Sequence, residues 1–110
     1  MKKISFSRRG KKFSLSCREC GFFSFGLMFR TRETKPCVFK FGEPTKFKIS
    51  SLFVFFPFLA VWLDGKNEVI EIRRINPFNL FVPFERSYAT LVEIPLNKKN
   101  SGIVDSLVGD

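Results

Sequence analysis

The sequence predicts a mainly β fold, namely a small β-barrel or a strongly curved antiparallel sheet with one or two short helices. Three observations predict it. Short segments of alternating apolar and polar residues are separated by turn-forming residues. The 110 residues include 16 Phe but one Trp and one Tyr, and Phe suits strands and closed cores. The connections are too short for the crossover helices that a parallel sheet needs.

The first predicted element is a β-hairpin. Lys3–Ser7 and Lys12–Ser16 both alternate, and the residues Arg8 to Lys11 between them include Gly10, which suits a left-handed turn position. The next segment, Cys20–Phe29, leaves two readings open. Its Phe residues have helical spacing, which indicates a short helix, whereas its two glycines weaken a helix and favour an irregular turn.

Three strands are predicted in the middle of the chain: Cys37–Phe41, Lys46–Phe56 and Leu59–Leu63. The first places Cys37, Phe39 and Phe41 on one face, and Gly42-Glu43-Pro44 is predicted to turn the chain after it. Pro57 interrupts the second strand. The third is apolar on both faces, which is typical of a central strand.

The last third begins with a strong hairpin signal at Asp64-Gly65-Lys66-Asn67. The elements predicted after it are the strand Glu68–Ile75, a short strand Phe78–Val82, the strand Tyr88–Ile94 and a helical turn around Ile103–Leu107. No repeat, linker or low-complexity block interrupts this order, so residues 1–110 are predicted to form a single domain.

The positive charge is concentrated in the first half of the chain. Residues 1–50 contain 13 Lys and Arg against three Glu, whereas residues 51–110 contain six against seven acids, and the net charge is +9. Basic residues interleaved with Phe are typical of nucleic-acid binding, in which cations neutralise phosphates and exposed rings stack on bases. The candidate anion or nucleic-acid residues are Lys2, Lys3, Arg8, Arg9, Lys11, Lys12 and Arg18. A lysine-rich hairpin also protects an edge strand from aggregation.

The absence of histidine disfavours an enzyme. It removes the usual general base, the commonest metal ligand and any Ser-His or Cys-His nucleophile pair. The sequence also lacks a glycine-rich phosphate-binding loop. No catalytic residue and no cofactor are predicted.

Cys17-x-x-Cys20 together with Cys37 is the one constellation of chemical interest. Three thiolates are candidate zinc ligands if a fourth ligand comes from elsewhere, but a complete structural site has four Cys or His ligands. Cysteine is often a buried, small apolar residue. We therefore favour ordinary buried or half-buried thiols over a metal site.

Two further charged residues stand out. Glu93 lies between Val92 and Ile94 and is expected to be shielded from water and paired with an Arg, rather than catalytic. Arg30 is either an anion-binding guanidinium beside a groove or a structural residue that pairs with a carboxylate, and the structural role is favoured.

The sequence predicts a cytoplasmic protein without a membrane partner. The longest apolar run, Leu52 to Leu63, has 12 residues and contains Pro57, whereas about 20 apolar residues are needed to span a bilayer. Arg8-Arg9 resembles part of an export signal, but the residues that follow are not an apolar stretch.

An ordered set of short motifs resembles one family. The motifs are Gly26-Leu27-Met28-Phe29-Arg30, Phe39-x-Phe41, Phe55-Phe56-Pro57, Trp62-Leu63-Asp64, Val92-Glu93-Ile94-Pro95 and Gly109-Asp110. Their order and spacing resemble the archaeal-type members of the domain of unknown function 192 family, over about residues 17–110. The resemblance implies a small, mainly β single domain with no assigned activity, cofactor or catalytic residue. This chain has Leu59 where that family usually has an Asp.

These observations favour a non-enzymatic binding or accessory module. The first hypothesis is recognition of a small molecule or protein through a groove beside Gly26–Arg30. The alternative is RNA or DNA binding through the basic Lys2–Arg18 hairpin. An enzyme is the least supported of the three.

Overall fold

The computed structural model describes residues 2–20, 34–45, 54, 56–77 and 86–108, without the side chains of Lys2, Gly42 and Glu43. In these residues six strands form one sheet in the order β1-β2-β3-β6-β4-β5. The elements are β1 (Lys2–Arg8), β2 (Lys11–Cys20), β3 (Cys37–Thr45), β4 (Phe58–Leu63), β5 (Val69–Ile75), β6 (Tyr88–Pro95), a 3₁₀ helix (Lys98–Asn100) and α1 (Ser101–Val108). The predicted mainly β fold is confirmed.

The predicted N-terminal hairpin is present as β1 and β2. The two strands pair antiparallel from Lys2 opposite Cys17 to Arg8 opposite Lys11. Arg9 and Gly10 form the turn, with φ of 52° and 79°. Two successive left-handed residues match the right-handed twist of the flanking strands, which explains so short a connection.

One strand pair is parallel, which differs from the prediction of a purely antiparallel sheet. Cys20 in β2 lies opposite Phe39 in β3, and Arg18 lies opposite Cys37. The Arg18 N–H also donates to the Pro36 carbonyl over 2.8 Å. The chain between the two strands, residues 21–36, is long enough for the return that a parallel pair requires.

Two predicted element boundaries differ from the structure: the end of the strand that begins at Cys37, and the extent of the C-terminal helix. The predicted turn at Gly42–Pro44 lies inside β3, whose pairing with β6 shifts register between Lys40 and Thr45. Extra residues in one strand are accommodated as a bulge, so these turn-forming residues bend the strand without ending it. The predicted C-terminal helical turn is a longer element, α1, preceded by the 3₁₀ helix.

The centre of the sheet follows the predicted pattern. Every residue of β4 is buried, and the strand lies between β6 and β5, antiparallel to both. The Asp64 side chain accepts the backbone N–H groups of Lys66 and Glu68 over 2.8 and 3.0 Å, which holds the predicted turn between β4 and β5.

The sheet curls into a half-barrel because its two edge strands meet at one point. The Ser7 N–H in β1 donates to the Asn67 carbonyl over 2.9 Å. The Asn67 side-chain amide donates to the Ser5 carbonyl over 3.0 Å, and the Ser7 hydroxyl donates to the Glu68 carboxylate over 2.9 Å. These contacts bring the β4–β5 turn against the hairpin.

Both faces of the curled sheet are covered. We call the side on which α1 packs the inner face; its buried residues are Ile4, Phe6, Phe13, Cys17, Val38, Leu59, Val61, Leu63, Val92, Ile94 and Leu107. The other side is the outer face; its buried residues include Cys20, Cys37, Val54, Phe56, Phe58, Ala60, Trp62, Ile75, Tyr88 and Leu91. Because side chains alternate along a strand, neighbouring residues contribute to different faces.

Helix α1 packs on the inner face. Ile103, Val104 and Leu107 form its apolar stripe, and Leu107 is fully buried. The 3₁₀ helix that leads into α1 is capped at its start by Asn97, whose side chain accepts the Asn100 N–H over 2.9 Å. The Asn100 amide donates to the Pro95 carbonyl over 2.9 Å, which ties the helix to the end of β6.

Several predicted elements lie wholly or mostly outside the described residues. They are the strand Phe78–Val82, the segment Cys20–Phe29 beyond Cys20, and the strand Lys46–Phe56 except Val54 and Phe56. Those two side chains are buried on the outer face, and neither belongs to a strand.

Candidate functional site

The hairpin tip, defined as Arg9, Gly10, Lys11 and Lys12, is a basic surface. Each of its three cations is exposed. The two-residue turn and the strand pairing on either side define the backbone positions from which these side chains project. Such a surface can attract an anionic partner without moving the backbone.

The remaining candidate cations are distributed differently. Lys3 is exposed, and the side chain of Lys2 lies outside the description. Arg8 is half-buried, and its guanidinium donates to the Leu107 carbonyl at the end of α1. A cation at a helix C-terminus stabilises the helix dipole and satisfies a terminal carbonyl. Arg8 therefore has a structural role.

The hairpin does not present its aromatic rings to a partner. Phe6 and Phe13 are buried on the inner face and stack on each other, with ring centroids 5.7 Å apart. The Lys11 ammonium lies 5.6 Å from the centroid of the Phe13 ring. These rings stabilise the hairpin, and they are not available to stack on unpaired bases.

Arg18 belongs to a different region from the hairpin tip. Seven residues separate it from Lys11 along β2, a distance of about 23 Å at the rise of a strand. Its guanidinium faces Cys20 on the outer face and donates to the Cys20 sulfur over 3.8 Å. The sequence interpretation grouped seven cations as one candidate surface. In the structure, Arg8, Arg9, Lys11 and Lys12 lie at the turn end of the hairpin, and the others lie toward its opposite end.

The three cysteines also divide between two faces. Cys20 and Cys37 form a disulfide across the parallel strands, with Cα atoms 6.1 Å apart. The prediction of three thiols is therefore wrong for these two residues, and they are not candidate metal ligands while the bond is intact. Within the described residues no group of three or more His, Cys, Asp or Glu could hold a metal ion.

Cys17 fits the predicted buried thiol. It is fully buried on the inner face. Burial raises the pKa of this thiol, the nearby Glu19 carboxylate raises it further, and the Lys40 ammonium and a backbone hydrogen bond from Ile4 oppose the shift. A raised pKa keeps the group as an unreactive thiol at neutral pH.

Glu93 is buried on the outer face, as its apolar neighbours predicted. Burial raises the pKa of this carboxyl to about 8, and the Arg18 guanidinium partly offsets the effect. Arg18 is thus the cation whose charge acts on Glu93, from two strands away across Cys37. The pKa of Tyr88, on the same strand, is raised to about 12, mainly by burial and secondarily by the negative charge of Glu93.

The register of four strand pairs places Glu93 in a row across the sheet, which we call the disulfide row. From β2 to β5 its members are Arg18, Cys37, Glu93, Ala60 and Arg73. Residues that lie directly opposite each other on paired strands share a face and come within reach. The row thus sets a carboxyl beside a disulfide sulfur, with a guanidinium at each end.

At the β5 end of the row, Arg73 has two neighbours. Its guanidinium pairs with Glu71 and lies 5.5 Å from the centroid of the Trp62 ring. The packing of a planar cation on an indole face is favourable and holds the guanidinium over the outer face.

The other predicted residue, Arg30, and the groove proposed beside Gly26–Arg30 lie outside the described residues. The disulfide itself is the feature that the sequence interpretation missed. The signal was the alternation of β2, which continues past Ser16 and places Cys20 with Arg18 on the face that Cys37 shares.

Comparison with known proteins supports the fold. No protein-family model and no curated protein matches the chain. Among solved structures, a protein of unknown function from Novosphingobium aromaticivorans DSM 12444 matches with a TM-score of 0.71 and 14% sequence identity. The match covers 93% of this chain and 76% of that one. At this identity the likeness shows the fold alone.

The length and apolar character of the described helices can be compared with those of a membrane-spanning helix. Neither helix in the described residues has the length and apolar character that a bilayer-spanning helix requires.

Proposed function

We propose that this protein is a non-enzymatic binding domain of the domain of unknown function 192 type, which recognises an anionic partner through the hairpin tip. The observation that carries the proposal is that Arg9, Lys11 and Lys12 are all exposed at one tight turn between paired strands. Arg8, the fourth cation there, contacts α1 and contributes to stability. The resemblance of the motifs to that family implies no activity of its own, so the binding role rests on the hairpin tip.

Lys66 adds to the positive charge at this end of the sheet. It is exposed in the β4–β5 turn, which is docked on β1 through Asn67. Glu68 in the same turn offsets part of this charge, although its carboxylate accepts a hydrogen bond from Ser7. The net charge of the hairpin tip and this turn together is positive, which favours a partner with closely spaced negative charges.

A nucleic-acid duplex is the partner class favoured by the chemistry of the tip. Because Phe6 and Phe13 are buried, binding rests on contacts with phosphates and not on stacking with unpaired bases. Phosphates of a duplex supply a dense, regular negative charge, and such binding is largely independent of sequence. An acidic protein is the other outcome that the test below distinguishes.

The test is charge reversal with a matched control. The Arg9→Glu/Lys11→Glu/Lys12→Glu variant removes the tip, and the Lys35→Glu/Lys98→Glu/Lys99→Glu variant makes the same change of charge at three exposed lysines elsewhere. Affinity for duplex DNA and RNA is measured by fluorescence anisotropy over a salt series. Each cation on a phosphate contributes about −0.9 to the slope of log K against log salt, so the tip variant should lose a slope of about 3.

Equal losses in the two variants would show that only net charge matters and would contradict the assignment to the tip. Binding of the wild type to polyglutamate but not to either duplex would identify an acidic protein partner. No salt-dependent binding to any of these polyanions would contradict the proposal.

A further inference from the structure

The disulfide on the outer face has two ionisable neighbours that a purely structural link does not need. The Arg18 guanidinium donates to the Cys20 sulfur over 3.8 Å. Glu93 lies directly opposite Cys37 on the adjacent antiparallel strand and on the same face. At that position Cβ atoms are about 4.5–5.5 Å apart, within reach of a proton transfer between the two side chains.

We propose that Cys20–Cys37 is a thiol–disulfide exchange site for small thiols and disulfides of the glutathione class. Cys20 is the sulfur that bonds to the external partner, and Cys37 is the resolving sulfur. Arg18 stabilises the thiolate of Cys20, and Glu93 exchanges a proton with Cys37.

The assignment of Cys20 as the exchanging sulfur rests on access and charge. Cys20 retains 5% of its surface exposed, whereas Cys37 has none. Only the thiolate is nucleophilic, and an opposite charge within about 4–6 Å lowers a thiol pKa by about 1–3 units. Arg18 supplies that charge to Cys20.

The assignment of Glu93 to Cys37 rests on their pairing and on the burial of both groups. Burial raises the pKa of Glu93 to about 8, and Arg18 opposes the shift. Cys37 has no exposed surface, and burial disfavours a thiolate, so the protonated carboxyl opposite it is a suitable proton donor to that sulfur. The other charged or titratable groups placed toward Glu93 by the described elements are Tyr88 and Arg73.

The exchange is balanced in atoms and electrons. An external thiolate attacks the Cys20 sulfur, the Cys20–Cys37 bond breaks, and its electron pair leaves on Cys37, which takes the proton of Glu93. A second external thiolate attacks the external sulfur of the mixed disulfide and releases Cys20 as a thiolate beside Arg18. The protein disulfide is reduced to the Cys37 thiol and the Cys20 thiolate, Glu93 is left as a carboxylate, and the two external thiolates, whose protons have gone to the solvent, are oxidised to one disulfide. The reverse sequence oxidises the protein.

The compartment predicted from the sequence is relevant to this proposal. Disulfides in cytoplasmic proteins are rare, and those present are usually transient and catalytic or redox-sensing. In a cytoplasmic protein, an exchanging disulfide is therefore a better explanation than a permanent link. Cys17 on the inner face serves as the unreactive reference thiol in the tests of Cys20, because it is buried and its pKa is raised.

The first test measures thiol reactivity in the folded, reduced protein. Iodoacetamide alkylation is followed by peptide mass spectrometry at pH 6 to 10. We expect Cys20 to react first, with an apparent pKa below that of a free thiol, and Cys17 to stay unmodified. Arg18→Gln should slow Cys20 alkylation at pH 7 by about tenfold or more, since its pKa rises by at least about one unit, whereas Arg18→Lys should retain most of the rate.

The second test follows resolution of the mixed disulfide. The reduced protein is mixed with oxidised glutathione, and the adduct is located by mass spectrometry. The Cys37→Ser variant should accumulate the adduct at Cys20. Glu93→Gln, which keeps the shape of the side chain, should slow resolution about tenfold and remove the inflection near pH 8 from its rate profile.

Two results would overturn the proposal. One is a disulfide that resists millimolar glutathione in the folded protein and is reduced only after unfolding, as a structural link would be. The other is Cys20 alkylation at the rate of an ordinary thiol, unchanged by Arg18→Gln. A Glu93→Gln variant with a wild-type resolution profile would remove Glu93 from the mechanism.

Discussion

The two faces of one sheet differ in what they contain. Among the described residues, the buried side chains of the inner face are apolar apart from the Cys17 thiol and the Thr90 hydroxyl, and they come from β1, β2, β3, β4, β6 and α1. The outer face is also covered, but it holds the disulfide row with Glu93, Arg18 and Arg73. Adjacent residues such as Val92 and Glu93 contribute to opposite faces. The strand period of two thus separates a core that stabilises the fold from a region that carries titratable and redox chemistry.

The largest expected effect is on the inner face. Leu63→Ala removes a fully buried side chain from β4 and leaves a cavity, so the free energy of unfolding should fall by about 2–5 kcal/mol. Val108→Ala is the control, because Val108 is 53% exposed and its loss should change the free energy by less than about 0.5 kcal/mol. Urea denaturation followed by fluorescence measures both. Equal, small effects would show that the inner face is not the stabilising core.

A second, pH-dependent effect is expected on the outer face. Glu93 has a pKa of about 8 in the folded protein, whereas an exposed Glu in the unfolded chain has one of about 4.3. Between these values the unfolded state binds fewer protons, so the free energy of unfolding falls as the pH rises and levels off above about pH 8. The full contribution of Glu93 is present only below about pH 4.3.

Glu93→Gln isolates this contribution. The difference in free energy of unfolding between wild type and variant, measured by urea denaturation at several values from pH 4 to 9, should change through that range because Gln does not titrate. A difference that stays constant would show that Glu93 is charged in the folded protein at neutral pH.

Local patterns predicted most of the strands. The hairpin with a left-handed Gly10 within Arg8–Lys11, the turn after Asp64 and the buried strand β4 follow from residue types that are close in sequence, although the hairpin turn is two residues long and not the four predicted. The shielding of Glu93 was predicted in the same way, from Val92 and Ile94. These features depend on neighbours within a few residues, which the sequence displays directly.

Pairing between distant strands was not predictable in this way. The parallel contact of β2 with β3 brings Arg18 and Cys20 to Cys37, and the β3–β6 contact brings Cys37 to Glu93. Three cysteines allow three single disulfides, and alternation alone does not select one. The predicted strand Lys12–Ser16 also ended before Cys20, so the sequence did not assign the Cys20 side chain to either face of the sheet. The disulfide row depends on both of these long-range contacts, whereas the hairpin tip depends only on the local pairing of β1 with β2.

The division of the cysteines between the two faces is the central claim, and a count of accessible thiols tests it most directly. The oxidised protein is treated with a chromogenic thiol reagent, first folded and then in denaturant without reductant. We predict no reactive thiol in the folded protein and one of the three cysteines, Cys17, after denaturation. Three reactive thiols on denaturation, or a reactive Cys17 in the folded protein, would contradict it.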